Sequence, residues 1–557
     1  MRSCFTYILD YVTECILIDS LILFPTSALV TLQKGRLYLP CSFDVRLAVL
    51  AVLPICFAVV RQFINNRQNK LSPPPGPAPL PLLGNILSIN TKEPWLTYTR
   101  WQAVYGDLLL VRILDQKVVV INSQHVAEAL LDKRSRIYSD RPYIATLEPF
   151  GWSINFAFTG YGDEWRRCRR LFHQTFRPDS ALKFRPMQIK RAREMIVNLI
   201  DDPQHYHSHF ATFSSSVAMS VVYGYQPSAR DDPMIRIVEN ALAIGLDVLT
   251  LERAFLVKTF PFLLKLPDWC WGSWIKHEAR VSTHGANEMR DVPFRYAQQH
   301  KTEDSRLGQL SMVAENLQRM EKRDEVSKPM LEAALKKAAT TAIIGSYETT
   351  TSTLMAFALA MVSYPDVQRR AQEEIDIVTG RDRLPTFEDR ASLPYVESVL
   401  RETYRWHPIL PLGMPHAASC DDTYNGFFIS KGTTAMWNTW AISRDEKRYP
   451  DASRFMPERF LDVNNVLTND NPAEYIFGLG RRGCPGRYAA DASVWSAIVT
   501  MLAMVDFSSA KDDQGKVIDF TPQFTTGLVH SVIVFPCSIS PRSHVHPGLV
   551  DVIRTGV

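Results

Sequence analysis

No charge of one sign dominates this chain. Of its 557 residues, 62 are Lys or Arg and 58 are Asp or Glu, a formal net charge of +4. A protein that clothes a nucleic-acid backbone carries a far larger basic excess, so no nucleic-acid role is expected. Paired cysteines are lacking too. The nine cysteines are odd in number and include no Cys-x-x-Cys pair, which argues against a disulfide framework or a zinc site and fits a reducing compartment. Neither an internal repeat nor a long low-complexity tract is present. With 46% hydrophobic residues, the chain has enough apolar material for a large single core or for several domains.

Against that background one cysteine stands out. Cys484 lies in Phe477-Gly-Leu-Gly-Arg-Arg-Gly-Cys-Pro-Gly486, a glycine-rich loop ahead of an apolar stretch that reads as a helix over residues 488–505. A helix N-terminus offers unpaired N–H groups and the positive end of the dipole, and Arg482 adds a full charge, so Cys484 is expected to ionise and bind a soft-acceptor metal. The glycines let the backbone come close to something flat. A lone cysteine in front of a helix is otherwise a small, inert, half-buried residue. It is the surrounding pattern that changes the reading.

Two helices carry further chemistry. In residues 395–408, Glu402 and Arg405 stand three apart and share a helical face before Pro408 ends the helix. Another arginine, Arg459, follows in Met456-Pro-Glu-Arg-Phe460. The bland alternative is a solvated pair worth a few tenths of a kcal/mol. Residues 329–364 read as one long helix, with Pro329 in the first turn and Pro365 just beyond the end. Gly345-Ser-Tyr-Glu-Thr-Thr350 interrupts its apolar run. Glycine and β-branched residues weaken a helix, so a local distortion filled by hydroxyls and water is expected there. The plain alternative is threonines that bond back to carbonyls of their own helix.

Taken together, these motifs resemble those of the cytochrome P450 monooxygenases. The loop matches Phe477-x-x-Gly480-x-Arg482-x-Cys484-x-Gly486, and Trp165-Arg-Arg-Cys-Arg169 is similar to the family's Trp-x-x-x-Arg helix. Residues 345–349 match its Ala/Gly-Gly-x-Asp/Glu-Thr motif, with Ser346 in place of the second glycine. The resemblance runs from about residue 82 to residue 540, and the wording around Cys484 and Ser493-x-Trp495 looks like filamentous-fungal P450s of secondary metabolism. It implies a mainly α fold with a small β-rich lobe, and haem b held by the Cys484 thiolate. Trp165, Arg169, His416 and Arg482 are implied as propionate contacts, with Phe477, Gly480 and Gly486 in the haem loop. Glu402, Arg405 and Arg459 are implied as a structural triad. Glu348 and Thr349 would relay the proton that cleaves dioxygen, with electrons coming from NADPH through NADPH-cytochrome P450 reductase. Arg166, Arg167 and Arg170 read either as a solvated face or as a basic face for that partner.

The substrate implied is a lipophilic small molecule, such as a terpenoid. Its walls would come from residues 143–158, 210–262, 343–349, 409–414 and 525–529. Two rivals share the haem: a P450-like isomerase or dehydratase, and a non-catalytic haem-binding protein.

The N-terminus reads as a membrane attachment. Residues 47–60 form an uncharged apolar run of 14 residues, short of the roughly 20 that span a bilayer. Residues 46–64 become an anchor if Arg46 and Arg61 snorkel to the interfaces. Basic and proline-rich residues 65–81 then form a stiff linker, followed by a catalytic domain at 82–545 and a tail at 546–557. Positive charge after the span places that domain on the cytosolic side, which with the resemblance implies the endoplasmic reticulum membrane. Residues 1–45 hold a second apolar stretch, 15–32, broken by Asp19 and Pro25. It reads as another membrane segment, an interfacial helix or a gene-prediction artefact.

Overall fold

The computed structural model describes residues 71–543 other than 229, 307–310 and 381–382, together with Arg554. The extension 1–45 and the expected anchor 46–64 lie outside the described residues. Among the described residues no helix is long and apolar enough to cross a membrane. Asn69–Val557 form one compact unit.

Helices dominate that unit, as expected. Those that build the site are α1 (Asp163–Phe176), α2 (Arg185–Asp201), α3 (Tyr206–Tyr223), α4 (Pro233–Val248), α5 (Trp274–Arg306), α6 (Lys328–Ser363), α7 (Pro365–Thr379), α8 (Pro394–Trp406) and α9 (Arg487–Met504). Helix α6 is the axis. It begins with Pro329 in its first turn and stops at Tyr364, whose φ of −132° and ψ of 69° leave the α region ahead of Pro365. From Thr350 to Met361 it is buried on every side, which only a helix surrounded by others can be. Its principal partner is α3, itself buried almost throughout. Helix α9 is likewise an all-round apolar core helix and packs on α2.

The smaller lobe is β-rich. Strands β1 (Leu108–Ile113), β2 (Gln116–Ile121), β3 (His416–Ala417) and β6 (Thr434–Trp437) form a sheet in the order β1-β2-β6-β3. Strands β1 and β2 pair antiparallel, β2 and β6 parallel, and β3 and β6 antiparallel. Period-2 alternation sends Val119 and Ile121 into one apolar cluster with Ala435 and Trp437, and Val118 and Val120 into another with Leu109 and Tyr98. Two short ribbons complete the β structure: β4 (Asp422–Tyr424) with β5 (Phe427–Ile429), and β7 (Val505–Ser509) with β8 (Cys537–Pro541).

Two observations differ from the sequence reading. Helix α6 runs unbroken through Gly345–Thr350, because the hydroxyls satisfy themselves without opening the helix. Thr349, Thr351, Ser352 and Thr353 each donate to the carbonyl four residues earlier, at 2.6–2.9 Å. The plain alternative of back-bonded threonines is therefore the geometry present. The proline-rich stretch read as a linker also lies along the β lobe. The Ser72 carbonyl accepts the Phe428 amide and the Pro75 carbonyl accepts the Leu110 amide, at 2.9 and 2.8 Å. A Cβ on Gly76 would stand 2.0 Å from the Leu110 carbonyl oxygen.

Candidate active site

The cysteine loop closes on itself. The Cys484 amide donates to the Phe477 carbonyl at 2.6 Å, and the Phe477 ring meets Tyr404 of α8 edge-on with centroids 5.5 Å apart. Gly480 has a φ of +58°, and a Cβ there would stand 2.2 Å from the Leu131 carbonyl oxygen. Only glycine fits that position, and the close neighbour is the protein's own backbone. Gly486 is the N-cap of α9, two residues past the cysteine. Cys484 keeps some accessible surface, yet burial pushes its thiol up, while the Gly486 amide and the Arg169 and Arg487 charges pull it back down. The cations that favour the thiolate are thus Arg169 and Arg487, not the expected Arg482.

Arg482 is spent elsewhere. It donates to the Ser139 and Thr159 carbonyls, each at 2.7 Å, and its guanidinium lies 4.4 Å from the centroid of the Trp165 ring. Arg169 approaches the same ring at 5.9 Å, so Trp165 holds two cations in place. Sequence reasoning missed a third. Arg141 is inserted between loops, donating to the carbonyls of Ala157 (2.8 Å), Met414 (3.1 Å) and Pro415.

Burial and mutual repulsion press on this group. Arg141 is pushed down to about 9 by burial and then by Arg482, and Arg482 to about 10, chiefly by burial. Asp140 is the carboxylate that reaches both. The Nη1 of Arg482 is buried and has no hydrogen-bond partner among the described residues. Nothing in the Asp140-Arg141-Pro142 wording marked Arg141, because its position depends on carbonyls 16, 273 and 274 residues away that the fold gathers.

His416 joins the group but not as a cation. Its Nδ1 donates to the Tyr138 carbonyl at 2.6 Å, and burial, Arg141 and Arg482 hold its pKa far below the usual value. Its ring is neutral and meets Trp437 edge-on. Two neighbouring guanidiniums and burial disfavour a third positive charge there.

The Glu402 triad is assembled in full. Arg405 forks onto both Glu402 oxygens at 2.6 and 2.7 Å, and Arg459 reaches the same carboxylate at 3.2 Å. Glu402 and Arg405 are 0% exposed. Arg405 also donates to the Ser443, Ala452 and Arg454 carbonyls, tying α8 to the segment that leads to the cysteine loop.

On α6, Gly345 is exposed and Ser346, Tyr347, Glu348 and Thr349 are half-buried, although the helix from Thr350 to Met361 is fully buried. A Cβ on Gly345 would meet nothing within 4 Å. The mid-helix segment therefore borders open space. Burial raises the Glu348 carboxyl above the ordinary carboxylate range, and among the described residues it makes no ion pair. A carboxyl whose protonated form is favoured by burial, beside a hydroxyl, is suited to proton transfer.

Comparisons agree with this arrangement. Residues 74–531 match the sequence model of the family described as Cytochrome P450. The chain is 36% identical over 505 residues to Cytochrome P450 monooxygenase 176 of Postia placenta, covering 89% of this chain and 95% of that protein. It is 35% identical over 482 residues to Cytochrome P450 monooxygenase claR of Ampulloclitocybe clavipes, covering 86% and 87%. To Cytochrome P450 monooxygenase ple1 of Rhodocybe pseudopiperita it is 34% identical over 504 residues, covering 89% and 94%. The match spans both lobes, the cysteine loop and the cation cluster alike, and the chain belongs to the cytochrome P450 family of haem-thiolate monooxygenases.

Proposed function

We propose that this P450 inserts one oxygen atom of O2 into a lipophilic small molecule, a fungal secondary metabolite of the terpenoid type. The observation that carries the proposal is the cluster of buried Arg482 with half-buried Arg141 and Arg169, with Asp140 as the carboxylate beside it and a buried Arg482 nitrogen that has no hydrogen-bond partner among the described residues. A cation cluster of this kind calls for an anion. Haem brings two propionates, and its chemistry, once bound, is the activation of dioxygen.

Within that reading each residue has a task. Cys484 is the thiolate ligand; Arg169 and Arg487 favour its charged form. Arg141, Arg169 and Arg482 receive the propionates, with Trp165 and neutral His416 at their side. Phe477, Gly480 and Gly486 shape the loop. Glu348, whose protonated form burial favours, is the proton source, and Thr349 passes the proton on after releasing the Gly345 carbonyl, to which it is bonded at 2.7 Å. Electrons come from NADPH through NADPH-cytochrome P450 reductase, whose docking face would include the exposed Arg166, Arg170, Arg481 and Arg487. Residues 46–64 would hold the enzyme at the endoplasmic reticulum membrane, catalytic domain towards the cytosol.

The test is turnover by the full chain co-expressed with such a reductase in a terpenoid-producing host. Products heavier by one oxygen atom, formed only with NADPH, are expected. Rearranged or dehydrated products formed from peroxides without NADPH would transfer the chain to the isomerase reading, and haem binding without turnover to the carrier reading.

A further inference from the structure

Ser346 stands where the family pattern has glycine, two residues before Glu348. Across from it on α3 lies Ser214, 1% exposed. The Ser214 hydroxyl donates to the Ser346 carbonyl at 2.7 Å, and the two hydroxyl oxygens are 3.4 Å apart. In an unbroken helix that carbonyl also accepts the Thr350 amide. It therefore has two donors, the second mounted on another helix.

A buried serine does not need such a partner. Ser215, the next residue, solves the problem within its own helix by donating to the Ala211 carbonyl at 2.9 Å, the usual course for a helical serine. Ser214 has the equivalent carbonyl four residues back and leaves it for α6. The place it chooses is the segment that lacks support on its other side, where a Cβ on Gly345 would touch nothing and the Glu348 carboxyl has no ion-pair partner among the described residues. Among the described residues, α3 and α6 are the most extensively packed helix pair, so an anchor on α3 is a firm one. A second donor also draws the carbonyl outward and tilts its peptide plane, which turns the following residues of the helix.

We propose that Ser214 is a positioning residue for oxygen activation: by holding the Ser346 carbonyl it fixes the segment of α6 that presents Glu348 and Thr349. The inference rests on the proton-relay reading of that pair.

Its test uses the full chain with reductase and compares Ser214→Ala, Ser214→Thr and Thr349→Ala. For Ser214→Ala we expect haem content like the parent's, faster amide hydrogen exchange over residues 346–353, and product per NADPH lower by roughly fivefold with more peroxide, the factor that one buried hydrogen bond of about 1 kcal/mol represents. Ser214→Thr retains the hydroxyl and restores both exchange and coupling. Faster exchange with unchanged coupling overturns the positioning role, as does Ser214→Thr coupling no better than Ser214→Ala. If Thr349→Ala uncouples and Ser214→Ala does not, this inference alone fails; if Thr349→Ala leaves coupling unchanged, the relay reading fails and takes this one with it.

Discussion

Replacing Arg405 with alanine strikes the most deeply buried charge of the site. Both it and Glu402 are 0% exposed, and removal of one partner from a buried pair costs about 3 to 5 kcal/mol. The surroundings bracket that figure. Glu402 would keep Arg459 at 3.2 Å and the Met456 amide at 2.7 Å, which argues for the lower half. The carbonyls of Ser443, Ala452 and Arg454, now bonded at 2.9, 2.8 and 3.2 Å, would lose a donor in the interior, which argues for the upper. A loss of about 4 kcal/mol multiplies the unfolded population nearly a thousandfold and removes much of a domain's roughly 5 to 15 kcal/mol. Arg405→Lys supplies one compact ammonium where a fork now serves both Glu402 oxygens and three carbonyls, so it should recover only part, leaving a loss of about 2 kcal/mol. Equilibrium denaturation and the yield of haem-loaded protein measure both variants. An Arg405→Ala protein within about 1 kcal/mol of the parent and normally haem-loaded, or a lysine variant as stable as the parent, would refute the reasoning.

Other outcomes follow from single positions. Cys484→Ser should abolish the red-shifted Soret band of the reduced, carbon monoxide-bound protein; persistence of the band would place the ligand at another cysteine. Thr349→Ala should keep consuming NADPH while product per NADPH falls and hydrogen peroxide rises, whereas an unaltered ratio leaves this threonine a packing residue. A Cβ on Gly245 would lie 1.9 Å from the Trp152 ring, so Gly245→Ala should cost about 1 to 3 kcal/mol by overpacking, read by thermal denaturation; no loss would mean the ring moves aside freely. His407, pushed down to about 3 by burial and by His530, stays neutral in the fold while the unfolded chain takes up a proton below about 6.5. Stability is thus unaffected above that pH and falls by about 1.4 kcal/mol per unit from there towards 3; His407→Phe, stacking on Phe524 and His530 in its place, should flatten that acid slope, and an unchanged slope would contradict the assignment.

Much of the candidate site was legible because it is local. Helix α6 was expected over residues 329–364 and runs Lys328–Ser363, and α9 over 488–505 and runs Arg487–Met504; proline, glycine and apolar runs mark such ends in the chain itself. The spacing of Glu402 and Arg405 placed them on one helical face, and the cysteine loop announced itself through consecutive positions. Less legible was anything that depends on what a side chain faces. Threonines at mid-helix predicted a distortion, but whether a hydroxyl opens a helix or bonds back within it depends on the available neighbours.

By itself, then, the sequence determined which residue types stand where along each helix and loop, and through them the family and the candidate for its thiolate ligand. Only the tertiary structure decided how charge is distributed among them. It brought Arg141 from a loop to Arg482, gave the role of thiolate neighbour to Arg169 and Arg487, left His416 neutral, and set Ser214 against Ser346. The reason is physical: periodicity and turn chemistry act over a few residues and are written in order along the chain, whereas burial, desolvation and the meeting of distant charges exist only once the chain has packed.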